Sequence, residues 1–432
     1  MSPIGAFCFV ASVVLQGRRL DVPGARCPIN TAVVRRPVVL RALGRRRARP
    51  CLEMEAGSTT AVAPASVWVT YGEQEVHRCP PGKPLSLPQG FLLANPPGPY
   101  TCLRTVGHRS TAMLQFHLDR LWESAKATGL GSAATEEGRQ SLERRTTETI
   151  ARTIKLFWEG QYQTMSTSGC CPECMATVLY LSGGSNGDIG KGSGYDSRIE
   201  GNSNPSGGRP IKILAHAWPL PTGSSLGGQA GVQVLVSGSG RKQPGSKHSS
   251  WLRERQRLEE LKFQAGAQEV VLSRPEYSPN GPAQRLLLEG LISNFFVVED
   301  DGTVCTAPSG VLMGGMRQLV ISVCEQEGIA FRHEAPDLAR AGYWREAFLT
   351  GTGRILTPVV ALLVQGDADD TSGALMSSKS GGNVELRLSR LEIPCFRAHH
   401  TEPSPECPRP SVIQQLRSRI CAELAASATR LF

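Results

Sequence analysis

The sequence lacks an apolar run long enough to span a membrane. A helix that crosses a bilayer needs roughly 20 consecutive apolar residues, and the early apolar stretch from Ala6 to Leu15 falls far short of that length. No later run approaches it. With 432 residues and 40% hydrophobic content, the chain is long enough for two ordinary domains with cores. We therefore expect a globular protein without a membrane partner.

Acidic residues are scarce in the first part of the chain. Residues 1–50 contain ten Arg, no Lys and a single Asp, which accounts for the whole formal net charge of +9. The remainder is close to neutral, so composition gives no argument for a nucleic acid partner. The Arg-rich, acid-poor start predicts a transit peptide for the plastid (chloroplast) stroma, with the mitochondrial matrix as the alternative. A signal-peptide core at Ala6 to Leu15 and an untargeted disordered tail are the other interpretations.

A second pair of metal-ligating cysteines is also lacking. Cys170, Cys171 and Cys174 form a CCxxC cluster, but no CxxC or HxxxH pair stands elsewhere to complete a structural zinc site. The thirteen cysteines follow no repeating frame, which favours free thiols in a reducing compartment. We predict no metal site.

Stretches rich in Gly, Pro and Ser divide the chain into parts. They predict a smaller N-terminal domain at 66–218 with a flexible insert at 182–210, an interdomain linker at 219–230 and a larger domain at 231–432. A stretch rich in Ala, Thr and Pro that ends near Ala65 predicts a leader at residues 1–65. The insert contains GDIGKGSG, which partly matches a phosphate loop. Ser185 stands where that motif needs its first glycine, and Gly192 where it needs Ser or Thr, so we reject this interpretation.

Apolar spacing predicts regular elements in the smaller domain. Residues 91–93 and 100–106 are strand candidates, separated by a turn that contains three prolines. Residues 116–129 follow helical spacing and end at a glycine, which predicts a helix.

Residues 286–317 place an acid at a strand end and glycines ahead of a helix. The apolar run of residues 286–288 ends at Glu289, and residues 294–298 predict a second strand. Gly314 and Gly315 precede a helical pattern, and the N–H groups at such a helix start form a ready anion site. The residues alone also allow Glu289 to be a strand-edge glutamate that faces water.

Several motifs, taken in order, resemble the class IV aminotransferase family, which includes branched-chain and D-amino-acid aminotransferases and aminodeoxychorismate lyase. The resemblance extends from about Gly98 to Val359 and is closest to a plant branch described as branched-chain-aminotransferase-like. The motifs are HLDRLWESA at 117–125, EG..SNFFVV from 289, GGMR at 314–317, EAFLTGT at 346–352 and TPV at 357–359.

The resemblance implies a fold, a cofactor and an assembly. The fold is α/β, the two-domain fold type IV of pyridoxal 5'-phosphate (PLP) enzymes, with a smaller N-terminal α/β domain and a larger C-terminal pseudo-barrel domain. PLP is expected between the domains, and a homodimer is expected because the active sites of the family lie near the subunit interface.

The resemblance also assigns site residues. Lys247, in PGSKHSSW, is the expected catalytic residue, which forms an imine with the cofactor and moves a proton. Glu289 is expected beside the pyridine nitrogen, where a carboxylate favours the charged ring. The expected phosphate-binding groups are Arg120, the amides of Gly315 and Met316, and Thr352, and the expected substrate-carboxylate groups are Tyr100 and Arg104.

The residues alone leave alternatives open for these assignments. Lys247 could be a surface lysine in a polar loop, and Lys242 and Lys262 are rival lysines. Arg120 could be a solvated helix residue paired with Glu123.

Two departures from the family pattern affect the expected cofactor site. Met316 stands where the family usually has a threonine, so one hydroxyl contact to phosphate is lost. Leu252 stands where a tyrosine commonly contacts the cofactor ring oxygen, and Trp251 is its neighbour. The lysine, the acid and the arginine are all retained.

The expected activity is transfer of an amino group between an amino acid and a 2-oxo acid. Aminodeoxychorismate lyase activity is an alternative, because the same lysine and acid serve elimination. A catalytically silent binding protein is the second alternative.

Overall fold

The computed structural model describes residues 37–40, 66–80, 82–130, 136–161, 173–183, 210–220, 231–277, 284–365, 386–393 and 411–432. Most of the predicted leader, insert and linker, together with Cys170 and Cys171, lies outside these ranges. Within the described ranges, no helix is both long and apolar enough to cross a membrane.

The described elements alternate between strands and helices along the chain. The strands are β1 (Pro37–Leu40), β2 (Ser66–Thr70), β3 (Val76–Cys79), β4 (Tyr100–Val106), β5 (Ser110–Thr111), β6 (Cys174–Ser182), β7 (Ile211–Pro219), β8 (Val232–Val236), β9 (Glu269–Glu276), β10 (Gln284–Gly290), β11 (Asn294–Glu299), β12 (Val304–Cys305), β13 (Phe331–Arg332), β14 (Trp344–Gly351), β15 (Ile355–Gln365), β16 (Leu386–Glu392) and β17 (Thr429–Arg430). The helices are α1 (Pro88–Ala94), α2 (Leu114–Ala127), α3 (Glu136–Gln161), α4 (Ser250–Glu254), α5 (Gln256–Gln264), α6 (Gly315–Glu327) and α7 (Val412–Ala426), with short 3-10 helices at Pro84–Ser86 and Leu338–Tyr343.

The larger sheet contains a closed ring of strands. β8 pairs in parallel with β9 and with β15, and the ring continues through antiparallel β10, β11 and β14 back to β15. Each of the six ring strands has a partner on both sides, and the closed ring confirms the predicted pseudo-barrel. β10 and β11 meet through the pair Glu289 and Asn294, so the tight bend between them sets the position of the acid.

The smaller sheet has the order β17-β5-β4-β6-β7-β2-β3. Helices α2 and α3 bury their apolar faces against it, with Leu121, Ile150 and Ile154 fully buried. Its edge strand β17 comes from the carboxyl end of the chain, which therefore returns to the sheet built from the first part of the sequence.

The prediction of a strand at residues 91–93 is wrong, because these residues belong to helix α1. Pro88 occupies the first helical turn, where its fixed backbone angle suits a helix start. Phe91 and Leu92 are buried on one side of this helix. A run of three apolar residues fits either element, since periodicity cannot separate them over so short a length.

Glu346 fixes helix α7 to the barrel. Its buried carboxylate accepts hydrogen bonds from the Ser411 hydroxyl (2.9 Å) and from the amides of Val412 (3.0 Å) and Ile413 (2.9 Å). A carboxylate at a helix start satisfies amides that have no partner within the helix and complements the helix dipole.

We expect Glu346→Ala to lower the free energy of unfolding by about 3 kcal/mol, because several buried donors lose a charged acceptor. Glu325→Ala, at an exposed position of α6, is the matched control and should change stability by less than about 0.5 kcal/mol. Urea unfolding of the two variants measures the difference. Equal stability of both variants would show that the anchoring contacts contribute nothing.

Candidate active site

A cavity opens where β10 meets β11, and its walls come from both sheets. Of the predicted site residues, all but Arg104 line it: Tyr100, Arg120, Lys247, Glu289, Gly315, Met316 and Thr352. Residues distant in sequence are thus brought to one place.

The loop that carries Lys247 is tied to the smaller sheet and its helix. The Lys247 amide donates to the Ser124 hydroxyl on α2 (3.0 Å), and its carbonyl accepts from the Tyr100 amide on β4 (2.9 Å). The Lys247 ammonium group lies 4.7 Å from the centroid of the Tyr100 ring, a cation–π contact. Fixed at its backbone and half-buried, the lysine presents its amine to the cavity.

The two rival lysines lie elsewhere. Lys242 is exposed in the turn that precedes the Lys247 loop and is not among the residues that line the cavity. Lys262 forms an ion pair with Glu259 on α5. Neither position brings an amine to the acid or the arginine of the cavity.

Glu289 is a buried acid with one oxygen directed to a backbone donor. The residue is only 3% exposed, and its Oε2 accepts a hydrogen bond from the Leu312 amide at 3.0 Å. Oε1 is buried and has no hydrogen-bond partner among the described residues. Burial raises the pKa of Glu289 to about 7, against the opposing influence of Arg241, the Leu312 amide, Lys247 and Arg317.

Arg241 is a site residue that the sequence analysis missed. Its Nη1 lies 3.8 Å from Oε1 of Glu289, and its Nη2 donates to the Ser246 carbonyl at 2.8 Å. The guanidinium group lies 5.0 Å from the centroid of the Trp251 ring. Arg241 therefore links the acid to the loop that carries Lys247. A basic, glycine-rich turn resembles a solvated surface segment, and only the nearness of Arg241 to Lys247 in sequence could have indicated its position.

Arg120 is held in place by neighbours on α2 and β4. Its Nη2 donates to the Thr101 hydroxyl at 2.8 Å and lies 3.2 Å from His117 Nδ1, while the Phe116 ring centroid is 5.1 Å from the guanidinium carbon. Burial lowers the pKa of Arg120 to about 10, which leaves the side chain charged at neutral pH. Its Nε is buried without a hydrogen-bond partner in the described part of the chain. Glu123, the alternative partner, instead pairs with Lys126 (3.2 Å).

Helix α6 starts at the cavity wall without a side-chain cap. Gly314 is the N-cap residue in extended conformation, and Gly315 opens the helix. The first amides of a helix have no intrahelical acceptors. A Cβ at Gly314 would clash with Asn294 Oδ1, and one at Gly315 would lie 3.1 Å from the Phe116 ring. A side chain at Gly314 would require Asn294 to move, and one at Gly315 would crowd the Phe116 ring. With glycine at both positions, the backbone donors stay accessible to an anion.

Arg104 is the one predicted site residue that lies away from the cavity. It is buried in β4, forms an ion pair with Glu173 and donates to the Thr352 carbonyl at 3.1 Å. Arg104 therefore fixes the backbone of Thr352, which lines the cavity. Tyr100, the other residue expected at the substrate carboxylate, also lines the cavity.

Trp251, and not Leu252, faces the cavity. Leu252 packs into a buried cluster with Phe91 and Tyr100. Trp251 lines the cavity and donates its indole N–H to the Leu291 carbonyl at 2.9 Å. Position 252 therefore supplies no aromatic ring to the cavity, but the preceding residue, Trp251, does.

The bend after Glu289 is braced by buried charged groups that the sequence analysis did not assign. Arg255 donates to the Leu291 carbonyl (2.8 Å), and Glu269 accepts from the Leu291 amide (3.2 Å) and the Ser293 hydroxyl (3.2 Å). Burial raises the pKa of Glu269, while hydrogen bonding and nearby cations oppose that rise. These contacts hold the bend that places Glu289 opposite Asn294.

The residues present fit PLP. Three buried polar atoms of cavity-lining residues have no hydrogen-bond partner within the described ranges, namely Arg120 Nε, Glu289 Oε1 and Thr350 Oγ1. A ligand with an anionic group near Arg120 and α6, and an N–H donor near Glu289, would satisfy them. Lys247 supplies the amine that reacts with an aldehyde.

Comparison with known proteins gives a family pattern for part of the chain and a fold. Residues 195–362 match the family model described as Amino-transferase class IV. A branched-chain aminotransferase from the archaeon Thermoproteus uzoniensis with norvaline superposes with TM-score 0.50 and 16% identity, covering 85% of this chain and 100% of its own. The T.th. branched-chain amino acid aminotransferase with pyridoxamine 5'-phosphate superposes with TM-score 0.51 and 17% identity, covering 86% of this chain and 99% of its own. A hypothetical aminotransferase from Mycobacterium tuberculosis in a PLP-bound form superposes with TM-score 0.50 and 15% identity, covering 84% of this chain and 99% of its own.

No match was found among curated proteins. At these identities, the solved structures establish the fold and not the substrate. The chain thus has the two-domain α/β architecture of PLP fold type IV, and its residues 195–362 carry the sequence pattern of class IV aminotransferases.

Proposed function

We propose that this protein is a PLP-dependent aminotransferase that transfers an amino group between an amino acid and a 2-oxo acid. One observation carries the proposal. Lys247, the buried acid Glu289 and an anion cradle, formed by Arg120 and the start of α6, all line the same cavity. Homodimer assembly and delivery to the plastid stroma stay predictions from the sequence.

The cradle is suited to hold the phosphate of the cofactor. Arg120 supplies a positive charge that Thr101 and His117 orient, and the start of α6 supplies backbone donors. Thr352, whose carbonyl is fixed by Arg104, completes this side of the cavity.

The acid and the lysine are suited to the reacting end of the cofactor. When bound, PLP supplies an electron sink for negative charge that develops at the substrate α-carbon. Glu289 Oε1 would accept a hydrogen bond from the ring N–H and so favour the charged ring. Lys247 would attach the cofactor covalently and then carry the proton that leaves the substrate α-carbon.

A transfer assay with the full chain tests the proposal. The protein, supplied with PLP, is incubated with single amino acids and a 2-oxo acid acceptor, and the new 2-oxo acid is measured. We expect product that depends on both the acceptor and PLP. Failure to take up PLP would contradict the proposal and favour the silent binding protein, and release of p-aminobenzoate from aminodeoxychorismate without an acceptor would instead identify a lyase.

A further inference from the structure

The start of α6 offers only backbone donors to an anion. Gly314, Gly315 and Met316 carry no hydroxyl, and the Met316 side chain packs into the core against Phe348 and Leu356. Side-chain hydrogen bonds to an anion at this end of the cavity must therefore come from other elements.

No described residue pairs with the hydroxyl of Thr350. The residue is 2% exposed and lines the cavity, and its Oγ1 is buried without a hydrogen-bond partner in the described ranges. Leaving a buried hydroxyl unpaired costs stability, and native structures rarely leave such a group unpaired without a reason. A ligand in the cavity would supply that reason.

The strand pattern places this hydroxyl on the side of the barrel that faces α6. Thr350 lies two residues after Phe348 on β14, so both side chains leave the same face of the strand. Phe348 packs with Met316 and Val320, which are residues of α6. Thr350 continues this face toward the amino end of the helix.

A second contact supports the same position. Thr350 on β14 pairs with Asn294 on the neighbouring strand β11. The Asn294 Nδ2 donates to the Leu312 carbonyl at 2.7 Å. Asn294 Oδ1 also occupies the space that a Cβ on Gly314 would need. The strand neighbour of Thr350 therefore contacts the segment that leads directly into the α6 start.

We propose that the Thr350 hydroxyl is a side-chain donor to the phosphate of the bound ligand at the start of α6. This inference rests on the proposed function, because it takes the phosphate to belong to PLP. The strand face that carries Thr350 turns toward α6, and its strand neighbour Asn294 contacts the segment before that helix, so the hydroxyl belongs to the anionic end of the cavity. Thr350 thus supplies a hydroxyl where the helix start has none.

Thr350→Val and Thr350→Ser in the full chain separate the hydroxyl from the shape of the side chain. The dissociation constant is measured for PLP, for pyridoxal, which lacks the phosphate, and for inorganic phosphate. We expect Thr350→Val to weaken PLP and inorganic phosphate about 10- to 100-fold, the effect of losing a hydrogen bond to a charged group. Thr350→Ser should stay within about threefold of the unmodified protein, and pyridoxal affinity should not change.

The outcomes distinguish this inference from the proposed function. If Thr350→Val binds PLP and phosphate as well as the unmodified protein does, or weakens pyridoxal equally, the inference is overturned. If the unmodified protein binds no PLP, the proposed function fails, and inorganic phosphate alone then decides whether Thr350 serves an anion. Thermal unfolding without ligand verifies that each variant is folded.

Discussion

Replacing Lys247 with Ala is expected to lower the rate of amino transfer about 10³- to 10⁴-fold, because the variant loses both the covalent attachment point and the proton carrier. The lysine has no substitute within the described part of the cavity lining, where the other basic side chains are the guanidinium groups of Arg120 and Arg241. A guanidinium group stays protonated near neutral pH, so it cannot act as the nucleophile.

Lys242→Ala is the matched control, since Lys242 lies five residues earlier in the same loop and is exposed. It should keep nearly full activity. Borohydride reduction followed by peptide mass analysis gives an independent measurement. The mass of reduced cofactor should appear on the peptide with Lys247, in the unmodified protein and in Lys242→Ala. Attachment at Lys242 would reverse the assignment of the lysine.

Local sequence patterns were sufficient to predict the backbone positions of two candidate site residues, whose expected roles came from the family resemblance. Glu289 was predicted at a strand end and lies at the end of β10. The short apolar run predicts the strand, and the glycine that follows Glu289 predicts where the strand ends. Gly315 was predicted at a helix start and opens α6, because paired glycines before a helical pattern are a local signal. The closed ring of strands followed from resemblance and not from these patterns.

Positions that depend on distant contacts were not predictable from those patterns. Arg104 was expected to face substrate, but its partners Glu173 and Thr352 come from segments far along the chain and draw it into the interior. Arg241 was missed because its burial depends on Glu289 and Trp251. Nothing in a strand sequence reveals which hydroxyl is left unpaired after folding, so Thr350 was also missed.

Glu289→Gln is expected to stabilise the cofactor-free protein at high pH while it removes most activity. The pKa of Glu289 is raised from 4.5 to about 7 by burial, so the unfolded chain ionises this group more readily than the folded protein does. The stability that Glu289 provides is therefore fully present below about pH 4.5 and is lost as the pH rises through 7. A neutral glutamine avoids this loss. Since one pKa unit corresponds to about 1.4 kcal/mol, the variant should gain about 3 kcal/mol at pH 8 and less than about 1 kcal/mol at pH 5.

The same substitution should reduce the rate of amino transfer about 10²-fold, because an uncharged amide cannot favour the charged ring of the cofactor. Urea unfolding of the cofactor-free protein at pH 5 and pH 8 measures the first effect, and the transfer assay measures the second. Glu325→Gln, at an exposed position of α6, should show neither effect. A Glu289→Gln variant with unchanged stability at pH 8 would mean that water or Arg241 already compensates the buried charge, and one with full activity would exclude Glu289 as the partner of the ring nitrogen.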